Sequence, residues 1–100
     1  MAKLELISPA QVALLNDWLD LKSALEGSSS NTLLAYKRDL IDFFSFLTLH
    51  NGSKNGVSQL ETINQASMRS WMAENRRSGK TSRSIARQLS SVKSFYKWFA

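Results

Sequence analysis

The stretch Gly79–Ala100 reads GKTSRSIARQLSSVKSFYKWFA and carries the clearest helical pattern in the chain. Its apolar residues recur at the spacing of a helix that is buried on one side only. They are Ile85, Leu89, Val92, Tyr96 and Phe99, flanked by Gln88 and Phe95. Cations and hydroxyls fall on the opposite side. They are Arg83, Arg87, Ser90, Ser94 and Lys97, with Ser84 and Ser91 beside them. We predict a helix with a buried apolar side and an outward cationic side.

The net charge of the chain, +5, comes from this region. From Asn75 onward there are seven Lys or Arg and no Asp or Glu, whereas the preceding residues hold six Lys or Arg against eight Asp or Glu. Such a segment attracts a polyanion. Serine hydroxyls between cations suit a phosphate backbone, since they donate hydrogen bonds at short range. A merely solvated helix face is the alternative, but such faces usually mix both signs of charge.

Length and composition exclude several classes of protein. One hundred residues with 43% hydrophobic content predict one domain, 1–100. Without cysteine there is neither a disulfide framework nor a cysteine-based zinc site, and His50 alone cannot form a metal cluster, so we expect no cofactor. The sequence shows no membrane-spanning run and no signal-peptide pattern at its start, which favours a cytoplasmic protein. The pI near 9.9 favours nucleic acid as the partner. A basic helix on a membrane surface is a second interpretation.

Four helices are predicted from periodicity and local start and stop signals. Their ranges are Pro9–Glu26, Asn31–His50, Asn64–Ser78 and a fourth that opens at Lys80-Thr81-Ser82. The expected N-caps are Ser8, Asn64 and either Thr81 or Ser82, and the expected terminating glycines are Gly27 and Gly79. We expect Met1–Ile7 to be a loose arm and Asn51–Val57 to be a loop.

The second helix is predicted to supply much of the core. Its buried stripe comprises Leu33, Tyr36, Leu40, Phe43, Phe44 and Leu47, and the residues expected to face elsewhere are Arg38, Asp39, Asp42 and Ser45. Phe46 and Leu49 fall off this stripe and indicate a second contact surface. The first helix is apolar over more of its circumference than one core stripe needs, so it is either central or a surface for a partner.

Three blocks of the sequence resemble the N-terminal core-binding domain of tyrosine recombinases and phage-type integrases, most closely the Xer branch. The first is S-x-x-T-x-x-x-Y-x-x-D-L-x-x-F, formed by Ser29, Thr32, Tyr36, Asp39, Leu40 and Phe43. The second, LETINQASMRSWMAENRRSG, is similar to the third helix of that domain, and the third block, Ser82–Trp98, to its last helix. Together they cover the chain from about Ile7 onward.

The resemblance implies an all-α, four-helix, SAM-like bundle that clamps one face of double-stranded DNA while a separate C-terminal domain clamps the other. In that family the N-terminal ends of the second and fourth helices approach the DNA. The expected DNA contacts are Thr32, Tyr36, Lys37, Lys80, Thr81, Ser82, Arg83, Arg87, Ser90 and Lys93. Tyr36 also lies on the predicted buried stripe, and Lys93 lies at the edge of the fourth helix's stripe, so packing is the alternative role for both.

The resemblance also bears on catalysis and partners. The catalytic arginines, histidines and nucleophilic tyrosine of the family belong to its C-terminal domain, which has no counterpart here, and Tyr36 and Tyr96 occupy core-like positions. We therefore expect a chain that binds DNA and does not recombine it alone. The implied partners are other recombinase protomers, assembled as a tetramer on DNA, and the implied process is integration or recombination, including the resolution of chromosome dimers.

Two other functions are open at this point. A helical protein-interaction module would use the first helix, or Phe46 and Leu49, and its binding would persist in high salt because apolar burial is little screened. A small helix-turn-helix regulator would use the turn at Gly79-Lys80. An enzyme acting alone is the least supported, because no nucleophile, base and orienting group can be assembled. For DNA binding, Arg83 and Arg87 are the expected readers of guanine edges.

Overall fold

The computed structural model of the chain describes residues 7–51, 60–61, 63 and 65–99. Within these residues it contains four long helices and no strand: α1, Pro9–Glu26; α2, Ser30–Asn51; α3, Gln65–Arg77; and α4, Ser82–Phe99. The all-α, four-helix prediction is confirmed, and each predicted helix boundary lies within one residue of the observed one. Most of the predicted arm, most of the predicted loop after α2 and the predicted cap Asn64 lie outside the described residues.

Local signals explain why α1 begins and ends where predicted. The Ser8 hydroxyl accepts a hydrogen bond from the Gln11 amide at 3.1 Å, and the Gln11 side chain accepts one from the Ser8 amide at 3.2 Å. This reciprocal capping box satisfies two amide groups that the first turn leaves without partners. Gly27 ends the helix in the left-handed conformation, with φ of 59°.

A tight turn at Gly79 connects α3 to α4. Gly79 has φ of 93°, its amide donates to the Arg76 carbonyl at 3.0 Å, and the Lys80 amide donates to the Asn75 carbonyl at 3.1 Å. These two bonds form a Schellman motif, which satisfies carbonyls at the end of α3. Thr81 then caps α4, since its hydroxyl accepts from the Ser84 amide at 3.1 Å. The predicted glycine stop and the predicted threonine cap are both confirmed.

The core is an aromatic cluster centred on α2, which packs against all three other helices. Phe43 lies 4.9 Å, centroid to centroid, from Trp71 of α3, and Phe44 lies 5.4 Å from Phe95 of α4. Phe95 in turn meets Trp18 of α1 edge-on at 5.5 Å. All five side chains are fully buried. Ring–ring contacts of this kind stabilise the fold by more than the burial of apolar surface alone. The contact between Phe44 and Phe95 therefore helps to hold α2 against α4.

Two residues expected to face away from the core are buried in the structure. Asp39 is 1% exposed and Ser45 is 2% exposed. Ser45 donates its hydroxyl proton to the Ile41 carbonyl one turn earlier at 2.7 Å, which removes the cost of burying a hydroxyl. Asp39 meets partners on α4. The prediction was wrong because the spacing of apolar residues does not identify polar side chains that are buried with a hydrogen-bond partner.

The exposed apolar surface of α1 is concentrated near its C-terminal end. Leu15 and Trp18 are buried, whereas Leu21 is 37% and Leu25 74% exposed. The wide apolar coverage of this helix is therefore only partly used by the core. In the part of the chain that the structure describes, none of the helices has the length and apolar character needed to cross a bilayer.

Candidate nucleic-acid interface

A groove of about 560 Å³ runs between α2 and the first half of α4. Its lining residues are Leu34, Lys37, Arg38, Asp39, Ile41, Asp42, Lys80, Ser84, Arg87 and Gln88. Four of them are cations, with Lys37 and Arg38 on α2, Lys80 just before α4 and Arg87 on α4. The groove thus brings together three of the predicted DNA contacts, Lys37, Lys80 and Arg87, although Lys37 and Lys80 are 43 positions apart in the sequence.

A buried carboxylate joins the two helices within this groove. Asp39 accepts hydrogen bonds from Arg87 Nη2 at 2.9 Å and from Ser91 Oγ at 2.8 Å. Its side chain is 1% exposed, whereas that of Arg87 is 55% exposed. A buried carboxylate is costly unless it is paired and hydrogen-bonded, and α4 supplies both partners.

These contacts correct the predicted outward side of α4. Ser91 is buried, so it does not belong to a solvent-facing row of hydroxyls. It follows Arg87 by one helical turn, and both residues point towards Asp39 of α2. Arg87 keeps more than half of its side chain exposed but is anchored at one end. The prediction treated both as free because the sequence alone does not show which helix lies opposite.

Lys80 is also paired with an acid. Its Nζ lies 3.3 Å from Asp42 Oδ2, and the two side chains are 34% and 16% exposed. A pair that is partly exposed to solvent is screened and contributes little to stability. Asp42 nevertheless neutralises part of the charge that Lys80 was expected to offer an anion at the start of α4.

Five other predicted contacts on or next to α4 are exposed. They are Thr81, Ser82, Arg83, Ser90 and Lys93. Among the described residues Arg83 has no ion pair, so its charge is available to a ligand. Lys93 follows Arg87 by six residues, which turns it about 120° around the helix axis. It therefore lies away from the groove.

The two predicted contacts at the start of α2 have other neighbours. Thr32 is exposed, and its hydroxyl lies 2.9 Å from that of Ser29, which also accepts from the Thr32 amide at 3.2 Å. Tyr36 is half-buried with its ring 5.4 Å from that of Trp18, and Lys22 Nζ lies 5.8 Å from the Tyr36 ring. Tyr36 thus packs towards α1, consistent with the alternative that placed it in the core.

Several residues that line the groove were not among the predicted contacts. Arg38 and Asp39 were expected to face elsewhere, and Gln88 was read as a flank of the apolar stripe. Gln88 is 4% exposed, and its Oε1 has no hydrogen-bond partner within the described part of the chain. The excess of cations on α4 could have indicated Asp39, because a cation-rich helix can pair with a buried acid on its neighbour.

Tyr96 differs from an activated nucleophile. Tyr96 donates to the Leu60 carbonyl at 2.9 Å, and burial raises the pKa of its hydroxyl well above the ordinary value. An activated nucleophile needs a lowered pKa or an adjacent base. Over the described ranges, no group of three or more His, Cys, Asp or Glu residues could hold a metal ion.

Comparisons with known proteins match most of the chain. The family model described as phage integrase, N-terminal SAM-like domain, matches residues 15–100. The tyrosine recombinase XerC of Rickettsia typhi is 34% identical over 85 residues, which cover 85% of this chain and 28% of that protein. The XerC protein of Brucella suis is 33% identical over 93 residues, covering 90% of this chain and 30% of the relative. The chain therefore spans less than a third of these relatives. No solved structure matches it at the significance required.

Proposed function

The chain belongs to the phage integrase N-terminal SAM-like domain family, and from this membership we propose that it is the DNA-binding domain of a site-specific tyrosine recombinase. Its ligand is double-stranded DNA, bound by the N-terminal parts of α2 and α4. The proposal rests on the family match over residues 15–100 and on the recombinases that align with the chain at 33–34% identity.

The observation that carries the proposal is the convergence of cations in one groove. Lys37 and Arg38 of α2 line the same groove as Lys80, which precedes α4, and Arg87 of α4, and exposed Arg83 lies one turn before Arg87. A duplex carries a dense row of phosphates, so a surface that gathers cations from two helices gains affinity by releasing counterions. Hydroxyl and amide groups near those cations fix the register of the protein on the backbone.

We assign the contacts in two groups. The central group, in and beside the groove, comprises Lys37, Lys80, Thr81, Ser82, Arg83, Arg87 and Ser90. Thr32, Tyr36 and Lys93 form a marginal group, because Thr32 bonds to Ser29, Tyr36 packs on Trp18 and Lys93 points away from the groove. Phosphate contacts supply most of the affinity, and Arg83 and Arg87 are the candidates for reading guanine edges.

In this proposal the chain binds DNA and leaves strand cleavage to the part of the recombinase that it does not match. Cleavage needs an activated nucleophile and groups that stabilise the charge of the scissile phosphate. Tyr96 is unsuited to attack, since its hydroxyl is bonded to the Leu60 carbonyl and burial raises its pKa. The further partners are other recombinase protomers, assembled as a tetramer on DNA in the cytoplasm, in a reaction that includes chromosome-dimer resolution.

A second candidate function is a protein-interaction module. The exposure of Leu21 and Leu25 on α1 favours it, because neighbouring exposed leucines on one helix present an apolar surface. The two functions are compatible, since recombinase protomers that meet on DNA also need protein contacts.

Nuclear magnetic resonance tests which surface binds DNA. Amide resonances of the ¹⁵N-labelled chain are followed during titration with a duplex of about 30 base pairs, roughly three turns. We expect the largest shifts at Lys37, Arg83 and Arg87 and small ones at Leu21 and Leu25. Shifts centred on α1, or none at low salt, would contradict the proposal. Arg83→Ala should weaken the response, and Arg69→Ala is the matched control, since Arg69 is exposed on α3 and does not line the groove.

A further inference from the structure

An acid lies in the middle of the surface that is proposed to bind a polyanion. Asp39 lines the groove together with Lys37, Arg38 and Arg87, and its carboxylate is 1% exposed. A negative charge at this place opposes the approach of phosphates. Asp39 therefore needs a role other than packing, and its hydrogen-bond partners indicate that role.

Both oxygens of Asp39 are used by α4. Oδ1 accepts from Arg87 Nη2 at 2.9 Å, and Oδ2 accepts from Ser91 Oγ at 2.8 Å. The carboxylate plane is thus fixed at two points. The bond to Arg87 joins two charged groups, a class of hydrogen bond that is short and roughly twice as strong as a bond between neutral groups.

Arg87 is held on one side only. A guanidinium has five N–H donors in a planar fork, and Asp39 accepts from Nη2. Its side chain remains 55% exposed. A held guanidinium loses less conformational freedom on binding a ligand than a free one does. The neighbouring Lys80–Asp42 pair differs, since a lysine ammonium is a point charge with no fork to orient.

We propose that Asp39 is a positioning residue for DNA recognition: its buried carboxylate holds one edge of the Arg87 guanidinium, so that the other donors are presented to a phosphate or a guanine edge. Ser91 supports this role by fixing the second oxygen. The inference rests on the proposed DNA-binding function and adds a contributor to it that does not itself contact DNA.

Asp39→Asn tests the inference through the direction in which it changes the affinity for DNA. The amide keeps the shape of the side chain and removes its charge. Simple electrostatics predicts tighter binding to DNA when an acid leaves the surface. Positioning predicts weaker binding, by about three- to thirty-fold, which lies within the range of coupling energies between residues in contact. Asp42→Asn is the charge-matched comparison, because it removes an acid from the same groove without breaking a bond to Arg87. Since it also frees Lys80 from its ion pair, electrostatics predicts tighter binding for this variant.

The measurement is fluorescence anisotropy with a labelled duplex of about 30 base pairs, near three turns, at constant salt. Thermal melts show which variants are folded. We also compare Arg87→Ala with Asp39→Asn/Arg87→Ala, where positioning predicts no further loss from the second substitution. If Asp39 had a purely structural role, Asp39→Asn would lower the melting temperature. Its effect on the affinity of the folded protein would then be the same with and without the Arg87→Ala substitution.

Three results would overturn the inference. They are unchanged or tighter DNA binding by folded Asp39→Asn, an equal loss by Asp39→Asn with and without Arg87, and an unchanged affinity of Arg87→Ala. If the unsubstituted chain itself fails to bind the duplex at low salt, the proposed function fails first, and with it the inference. If Asp39→Asn does not fold, Ser91→Ala replaces it, with about a two- to five-fold weaker affinity expected and the same dependence on Arg87.

Discussion

Arg87 Nη2 lies 2.9 Å from Asp39 Oδ1, a contact between residues 48 positions apart in the sequence. It joins α2 to α4 at the groove where cations of both helices converge. Arg87 is therefore bound to the neighbouring helix through Nη2 while its side chain stays 55% exposed.

Arg83→Ala should weaken DNA binding without affecting the fold. Arg83 is exposed and unpaired among the described residues, so its loss should change the free energy of unfolding by less than about 0.5 kcal/mol. Loss of one phosphate contact should reduce the size of the salt slope by about 1. Urea denaturation and anisotropy titrations measure the two effects. A destabilised variant, or one with an unchanged slope, would contradict the assignment.

Arg87→Ala should weaken binding and also destabilise the fold. It leaves the buried carboxylate of Asp39 with the Ser91 hydroxyl as its remaining hydrogen-bond donor among the described residues, which costs about 1–2 kcal/mol after allowance for the exposure of Arg87. Comparison with Arg83→Ala in the same denaturation series isolates the contribution of the Arg87–Asp39 contact to the free energy of unfolding. Equal stabilities of the two variants would show that the Asp39 contact is unimportant for the fold.

Gly79→Ala should destabilise the chain through backbone conformation. Gly79 has φ of 93°, and a Cβ placed there would meet no atom within 4 Å. The cost is therefore that of forcing an L-residue into a left-handed conformation, roughly 1–2 kcal/mol. Gly79→Asn should lose less, since asparagine tolerates this conformation. Chemical denaturation tests both, and an alanine variant as stable as the original chain would contradict the turn geometry.

Tyr96 should make stability fall at alkaline pH. Burial raises the pKa of its hydroxyl above the ordinary value of 10.0, so the folded state favours the neutral form. The contribution is present below pH 10.0 and is lost as pH rises above it, because the unfolded chain ionises first. Tyr96→Phe should cost about 0.5–1.5 kcal/mol at neutral pH, since it loses the bond to Leu60, and should fall less steeply above pH 10.0. Parallel slopes for the two proteins would contradict this origin.

Helix boundaries could be predicted because their signals are local. The capping box at Ser8 and the left-handed glycines Gly27 and Gly79 depend on residues within one or two turns, so sequence spacing reveals them. The two ends of the groove could be predicted as well, since Lys37 and Lys80 lie near helix starts that the resemblance indicated. Their meeting in one groove follows from the packing of α2 on α4.

The pairing inside the groove could not be predicted. Asp39 and Ser91 are polar residues at the margin of apolar stripes, and periodicity assigned them to solvent. They are buried because each satisfies the other, a relationship that depends on the register between two helices far apart in sequence. The same register places Arg87 against Asp39, whereas Arg83 has no ion pair within the described ranges.

The salt dependence of DNA binding tests the central claim most directly. Anisotropy of a labelled duplex is measured at several salt concentrations with the unsubstituted chain and with Arg83→Ala/Arg87→Ala. About five neutralised phosphates predict a slope of log affinity against log salt near −4.5, and a large loss of affinity in the double variant. A slope near zero, or equal binding by the double variant when it is folded, would contradict the assignment of DNA binding to the α2–α4 groove.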